Sequence, residues 1–302
     1  MEEAKLAPLT AVRMEDGRRA FGGDAANYDA ARPEYPDSVF DVLRERCGLG
    51  VGTATFEIGP GTGLATRRLI AAGASPLVAV EPDGRLAKVL RERLPDAPLE
   101  IVEKSFEEAA LPESAFDLGA SATAFHWLEQ RSALAKVAAL LKPGGWWAMW
   151  WNVFGDPERA DPFHEATSEL LRADLPPGER HDWRPNFALD REARLASLDA
   201  DGLFEGADCR MTRWTLTLDP AGVRALYASF SHIGQLGESE RRRILDRLAE
   251  IAEKEFGGRV ERNMVTALYT ARRRADHSAS GQPVSSNTSS SRASQASSLA
   301  SA

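Results

Sequence analysis

The chain has 302 residues, 43% hydrophobic and 27% charged, with a formal charge of −8. That composition suits a globular protein and excludes a wholly disordered chain, a fibre or a disulfide scaffold. It shows no overall basic footprint for nucleic acid, and no run nears the roughly 18 apolar residues that cross a membrane.

Residues 1–27 are polar and rich in Gly and Ala, without a period, and read as part of an N-terminal arm over 1–35. From Pro36 the pattern turns helical, with Val39, Phe40, Leu43 and Cys47 on one face. Thr53 to Ile58 is a short apolar strand followed by glycines, and Leu64 to Ala72 a helix stopped by Gly73. Leu77 to Val80 is a second strand ending at Glu81. Leu86, Val89, Leu90 and Leu94 mark a helix, and Leu99 to Val102 a third strand. Phe116 to Ser121 is a fourth strand. A helix through Leu134, Val137 and Leu141 ends at Lys142-Pro143-Gly144-Gly145, and Trp146 to Trp151 is a fifth strand. Strand and helix thus alternate five times, which predicts an α/β fold with a parallel sheet covered by helices on both faces.

After Asn152 the rhythm changes. Residues 36–152 read as the core domain and 153–203 as an insert with one helix (Phe163 to Leu171) and a Pro-rich stretch. Residues 204–276 complete the sheet, with strands at Met211 to Leu218 and Met264 to Ala271 and a helix through Ile244 to Ile251. The Ser-rich tail, 277–302, has too few bulky apolar residues to offset chain entropy and is expected to be disordered.

The sharpest local signal is Glu57-Ile58-Gly59-Pro60-Gly61-Thr62-Gly63 between a strand and a helix. Glycines there admit a sharp turn and close approach of a ligand, and the following helix offers its positive end. A plain strand-to-helix turn needs the same glycines. The spacing is GxGxG rather than the GxGxxG of dinucleotide sites, with Leu64 where the last glycine of that fingerprint would fall. Glu81, about 20 residues on, can accept from two ribose hydroxyls, whichever nucleoside is bound.

These motifs together resemble those of the class I S-adenosyl-L-methionine (SAM)-dependent methyltransferases, in particular the small-molecule enzymes with a ubiquinone-biosynthesis-type domain. The resemblance rests on Phe56 to Gly63, Ala79-Val80-Glu81-Pro82-Asp83, Ser105-Phe106-Glu107, Phe116-Asp117-Leu118, Phe125-His126-Trp127-Leu128 and Leu140 to Gly145, in the family's order. It covers residues 25–152 strongly and 205–272 loosely. It implies a three-layer, Rossmann-like, seven-stranded, mostly parallel sheet with an antiparallel C-terminal hairpin, and SAM as cofactor. By the resemblance, Glu57, Gly59, Gly61 and Gly63 wrap the methionine part, Glu81 and Pro82 border the ribose, and Ser105 and Phe106 flank the adenine. Ser105 departs from an Asp common at that position. Tyr28, Arg32, Pro33, Tyr35 and Pro36 look like a segment that precedes the first helix in related enzymes; Tyr28 and Arg32 are expected to close over the cofactor, with Arg32 near a carboxylate or, equally, paired with a surface acid.

Methyl transfer needs chiefly alignment of nucleophile and methyl group, so a catalytic side chain is optional. His126 is the candidate base; the alternative is that His126 and Trp127 pack the pocket wall. The indoles of Trp146, Trp147, Trp150 and Trp151 fill the core, or the last two floor a substrate pocket. No metal-ligand spacing or GxSxG occurs, so no metal is expected. The acceptor is expected to be a small molecule, with no nucleic-acid or membrane partner. Cys47 and Cys209, far apart, and a start without an apolar run fit the cytoplasm. An NAD(P)-dependent oxidoreductase and a non-catalytic SAM-binding protein are the alternatives.

Overall fold

The computed structural model describes residues 31–173, 187–234 and 236–275. Seven strands form one sheet in the order β3-β2-β1-β4-β5-β7-β6. In chain order the core runs α1 (Asp37–Glu45), β1 (Thr53–Ile58), α2 (Thr66–Ala71), β2 (Ala74–Val80), α3 (Gly84–Arg93), β3 (Leu99–Val102), β4 (Phe116–Ala122), a 3-10 turn (Phe125–Trp127), α4 (Gln130–Leu140) and β5 (Leu141–Phe154). There follow α5 (Pro162–Ala173), α6 (Arg191–Asp199), β6 (Phe204–Leu218), α7 (Pro220–Ala228), α8 (Ser231–Gly234), α9 (Glu238–Lys254) and β7 (Val260–Arg273). Strands β1 to β5 pair in parallel, and β7 runs antiparallel between β5 and β6. The expected fold is therefore present. The last two strands pair as expected, but three helices lie in their connection rather than a tight turn.

Two apolar layers sandwich the sheet. On one face Val39, Phe40 and Leu43 of α1, Leu69 of α2 and Leu90 of α3 are buried; on the other, Phe106 and the α4 stripe Ala133, Leu134 and Val137. A third cluster joins α5, α7 and α9 through Phe163, Val223, Tyr227, Ile244 and Leu248. It is tied to the sheet by a buried ion pair. Arg262 Nε of β7 donates to Asp161 Oδ2 at 2.8 Å, and its Nη1 donates to the Tyr227 hydroxyl at 2.7 Å. Asp161 also accepts from the His164 amide at the start of α5. A buried charge needs a partner to offset its lost hydration, and this pair satisfies both members.

Several strands exceed the sequence reading, β5 and β6 at irregularities of register. β5 begins at Leu141, not Trp146, because Lys142 to Gly145 loop out where the register on β4 jumps from Phe116↔Leu141 to Leu118↔Trp146. β6 begins at Phe204 rather than Met211; a register break between Glu205 and Asp208 hides the alternation there.

The β5 indoles set the centre of the sheet. Trp147 stacks on Phe56 at 6.2 Å and meets Phe125 at 5.0 Å. Gly119 of β4 leaves that space: a Cβ there would lie 2.4 Å from Phe56 Cζ and 2.9 Å from Trp147 Cε3. Gly119→Ala should therefore strain the core by roughly 1–3 kcal/mol, as overpacking does. Thermal unfolding should show a melting temperature several degrees lower, whereas an unchanged value would mean the stack yields freely.

Candidate functional site

Chain direction and strand order build the site. In open α/β sheets ligands bind beyond the carboxyl ends of the strands, where the order reverses. Here the order reverses at β1, whose neighbours are β2 and β4. Their last residues are Ile58, Val80 and Ala122, so Gly59, Glu81 and Thr123 emerge side by side. A cavity opens above them. It is lined by Gly59, Gly61, Glu81 and Pro82 and also by Ser105, Phe106, Thr123 and His126.

The glycine loop is a backbone device. Gly59, Gly61 and Gly63 have φ of +67°, +58° and +96°, which favours glycine. A Cβ at Gly59 would sit 2.5 Å from Ala124 Cβ, so the loop also packs against the end of β4. Gly63 lies outside the cavity lining, where a Cβ would meet Leu90 at 2.7 Å; it seats the loop on α3.

The two carboxylates divide their tasks. Glu81 is buried at the cavity edge; Oε2 accepts from the Gly61 amide and Oε1 from the Asp83 amide, both at 3.0 Å. Burial pushes its carboxyl up to about 7 against the pull of those two bonds. Glu57 lies deeper and does not border the cavity. Its Oε2 accepts from Thr66 Oγ1 at 2.7 Å, while Oε1 is buried with no hydrogen-bond partner among the described residues. Burial raises Glu57 to about 7 as well.

The other expected residues separate. Pro82, Ser105 and Phe106 line the cavity. The Ser105 hydroxyl accepts from the Glu108 amide at 3.3 Å, and Phe106 stacks on Phe56 at 6.3 Å. Arg32 points elsewhere: Nη2 donates to the Ser229 carbonyl at 3.2 Å, with the guanidinium over Phe230 and Phe154. It borders a smaller adjoining cavity with Tyr35, Thr123 and Asn152. Tyr28, the rest of the arm to residue 30, the insert's 174–186 and the tail from 276 lie outside the described residues.

His126 lines the cavity, but its environment is that of a poor base. Burial pushes its imidazole down to about 4. Its Nδ1 accepts a hydrogen bond from Trp151 Nε1 at 3.0 Å. Neither Trp150 nor Trp151 lines the cavity, contrary to the pocket-floor expectation. Both are drawn into the core: Trp150 lies edge-on to Tyr35 and Phe40, and Trp151 packs on Phe187 and Tyr269.

Three contributors were not legible as site residues. Thr123 has φ of +55°, an outlier for a β-branched residue, and its Oγ1 lies 2.9 Å from the Tyr35 hydroxyl. Tyr35 stood in the quoted arm motif, but nothing in that motif showed its partner. Asn152 ends the indole run and holds the arm. Trp214 Nε1 donates to Thr266 Oγ1, Thr266 Oγ1 donates to Asn152 Oδ1, and Asn152 Nδ2 donates to the carbonyls of Pro33 and Glu34 at 3.3 and 3.2 Å. Carbonyl oxygens only accept, so Pro33 and Glu34 fix which way the amide faces.

Among the described residues no group of three His, Cys, Asp or Glu side chains could hold a metal, and no helix is long and apolar enough to cross a membrane. Asn152→Ala should release Pro33 and Glu34 and weaken the fold by about 1–2 kcal/mol, the usual net value of two such bonds. Hydrogen exchange should then quicken at residues 34–39 and stay unchanged in β1 and β4; equal exchange in both proteins would show that Asn152 does not hold the arm.

Comparison with known proteins agrees with this architecture. Residues 56–149 match the family model described as a methyltransferase domain. An uncharacterised methyltransferase-like protein of Schizosaccharomyces pombe is 29% identical over 235 residues, 78% of this chain and 86% of that one. An uncharacterised methyltransferase of Mycobacterium tuberculosis is 33% identical over 133 residues, 44% of this chain, which spans about half of that relative (52%). Among solved structures, phosphoethanolamine N-methyltransferase 2 of Haemonchus contortus in complex with SAM superposes with a TM-score of 0.53 at 14% identity, over 88% of this chain and 61% of that one. At that identity the likeness shows the fold. The match over residues 56–149 takes in the glycine loop, Glu81 and His126, and in this part the chain is similar to the class I SAM-dependent methyltransferases.

Proposed function

We propose that this protein transfers a methyl group from SAM to a small molecule, and that the cavity at the ends of β1, β2 and β4 holds the cofactor. The observation that carries the reading is Glu81, a buried carboxylate lining one cavity with Ser105, Phe106 and the glycine loop. The donor set fits the group. Gly59 and Gly61 leave backbone open to a ligand, and Glu81 accepts one bond at each oxygen, leaving further lone pairs for two ribose hydroxyls. Phe106 and Leu86 offer apolar walls for the adenine. Glu57 Oε1, buried and lacking a partner among the described residues, supports a role below the methionine end.

Bound there, SAM would supply an activated methyl group and its own leaving group. The chain's part is then to orient and to exclude water. Glu81 and the glycine loop would fix the cofactor. Tyr35 and Thr123, hydrogen-bonded to each other, border both the cofactor cavity and the adjoining small cavity, which supports placing the acceptor between them. The Asn152 relay holds the arm over this junction, and fixed alignment of two reactants can lower the barrier by roughly 7–11 kcal/mol. Phe154 of the insert borders the small cavity and Phe187 packs on His126, which supports a reading of the arm and insert as a cover over the acceptor. The free cysteines, Cys47 and Cys209, support work in a reducing cytoplasm. The family match lends nothing to an oxidoreductase or a non-catalytic reading.

Calorimetry with S-adenosylhomocysteine and NAD(H) tests the cofactor. The homocysteine compound should bind and the dinucleotide should not; the reverse would overturn the reading. Glu81→Ala should weaken binding about 10- to 150-fold, since a hydrogen bond to a charged group contributes roughly 1.5–3 kcal/mol. The pH dependence has a definite sign. Ribose hydroxyls favour the ionised carboxylate, whereas the free protein holds Glu81 protonated below about 7. Binding must then expel a proton, so affinity should fall roughly tenfold from pH 8 to pH 6. Glu81→Gln should flatten this slope, and a slope retained in that variant would remove Glu81 as its source.

A further inference from the structure

We propose that Trp151 locks His126 in one neutral form, with the proton on Nε2, so that His126 presents a hydrogen-bond donor to the cavity and takes no proton from a ligand there. Trp151 is thus a positioning residue acting through His126. This deepens the methyltransferase reading and rests on it for the identity of the ligand, but not for the state of the imidazole.

The direction of one hydrogen bond carries the inference. An indole N–H can only donate, so the imidazole nitrogen facing it must be the lone-pair nitrogen. Trp151 Nε1 and His126 Nδ1 are 3.0 Å apart. In a neutral imidazole the proton then sits on Nε2. Protonating the ring would set an Nδ1–H against the indole N–H, donor facing donor, inside the protein. The indole is not free to turn away. Trp151 is buried at 4% exposure, with Phe187 at 5.4 Å and Tyr269 at 6.3 Å against its ring.

The groups around His126 reinforce this. The rings packed on it are Trp127 at 4.7 Å, Trp151 at 6.3 Å and Phe187 at 6.0 Å, none of which titrates. Behind Phe187 stands a cation, Arg194, over its ring at 3.6 Å. The carboxylate bordering the same cavity, Glu81, is engaged with Gly61 and Asp83. No anion among these pairs with the imidazole to favour its charged form, and burial opposes it. Nε2 has no hydrogen-bond partner among the described residues, and His126 lines the cavity.

A fixed N–H at that place selects for a ligand atom with an exposed lone pair, such as a carboxylate or carbonyl oxygen. It also predicts that turnover does not depend on His126 as a base. A hydroxyl acceptor would have to lose its proton to another group or to solvent.

Nitrogen-15 NMR of histidine-labelled protein decides the state directly, both free and saturated with S-adenosylhomocysteine. The His126 signals should report a proton on Nε2 and no titration above pH 5. A proton on Nδ1, or a midpoint near the ordinary 6.5, would overturn the proposal. Trp151→Phe should raise the midpoint by a pH unit or more; an unchanged midpoint in the folded variant would show that burial alone holds the ring and that Trp151 has no positioning role. If that variant does not fold, His126→Phe gives the same answer from the other side. The Trp151 indole proton should then shift upfield and exchange faster, and an unmoved signal would show that the bond does not form. Calorimetry on the same samples keeps the two claims apart: absence of S-adenosylhomocysteine binding would overturn the cofactor reading while leaving the imidazole result intact.

Discussion

The bond from the Gly61 amide to Glu81 Oε2 joins the ends of two neighbouring strands and fixes the shape of the site. It requires a carboxylate taken out of water at the tip of β2 and a loop on β1 that carries no side chain in the way. Removing a carboxylate from water is costly, and two backbone N–H groups only partly offset it, which is why the Glu81 carboxyl is raised to about 7. Glu57, one strand over, shows the same tension with a single hydroxyl donor. Two buried carboxyls with raised values thus lie at the neighbouring ends of β1 and β2, and such groups cluster at functional sites.

The sheet supplies the rigidity that this arrangement needs. The residues after β4 border the cavity and β5 backs them, and the contact of the two strands is governed by Gly119 and Trp147 packing around Phe56. The same strand sends Trp150 to one face and Trp151 to the other, following the alternation of a pleated strand. Trp150 braces Tyr35 and α1, while Trp151 braces His126. One run of aromatic residues therefore positions both a hydroxyl and an imidazole without itself entering the cavity.

The arm is held by polar contacts rather than by burial alone. The relay from Trp214 through Thr266 and Asn152 crosses β6, β7 and β5 before it reaches Pro33 and Glu34. Ion pairs between Glu34 and Arg67 and between Asp37 and Arg68 add attachment on the α2 side. Such exposed pairs contribute little each. The connection therefore depends mainly on the orientation of one amide, so the C-terminal strands, distant in sequence, govern how the arm sits beside the cavity.

The sequence alone determined the alternation of strands and helices, the glycine loop and the acidic end of β2, because each depends on local chemistry: apolar runs, glycines at a turn, a carboxylate at a strand end. Tertiary structure decided the rest. The break at Lys142 to Gly145 read as a stop, yet it is an irregularity inside β5 that only pairing with β4 defines. Helix α7, absent from the sequence reading, starts where Asp219 accepts from the Gly222 amide, and the first half of β6 was masked by its broken register. Thr123, Asn152 and the tautomer of His126 depend on partners between 25 and 119 residues away. No local pattern encodes such a meeting, since it follows from which strands lie side by side and which face each residue occupies.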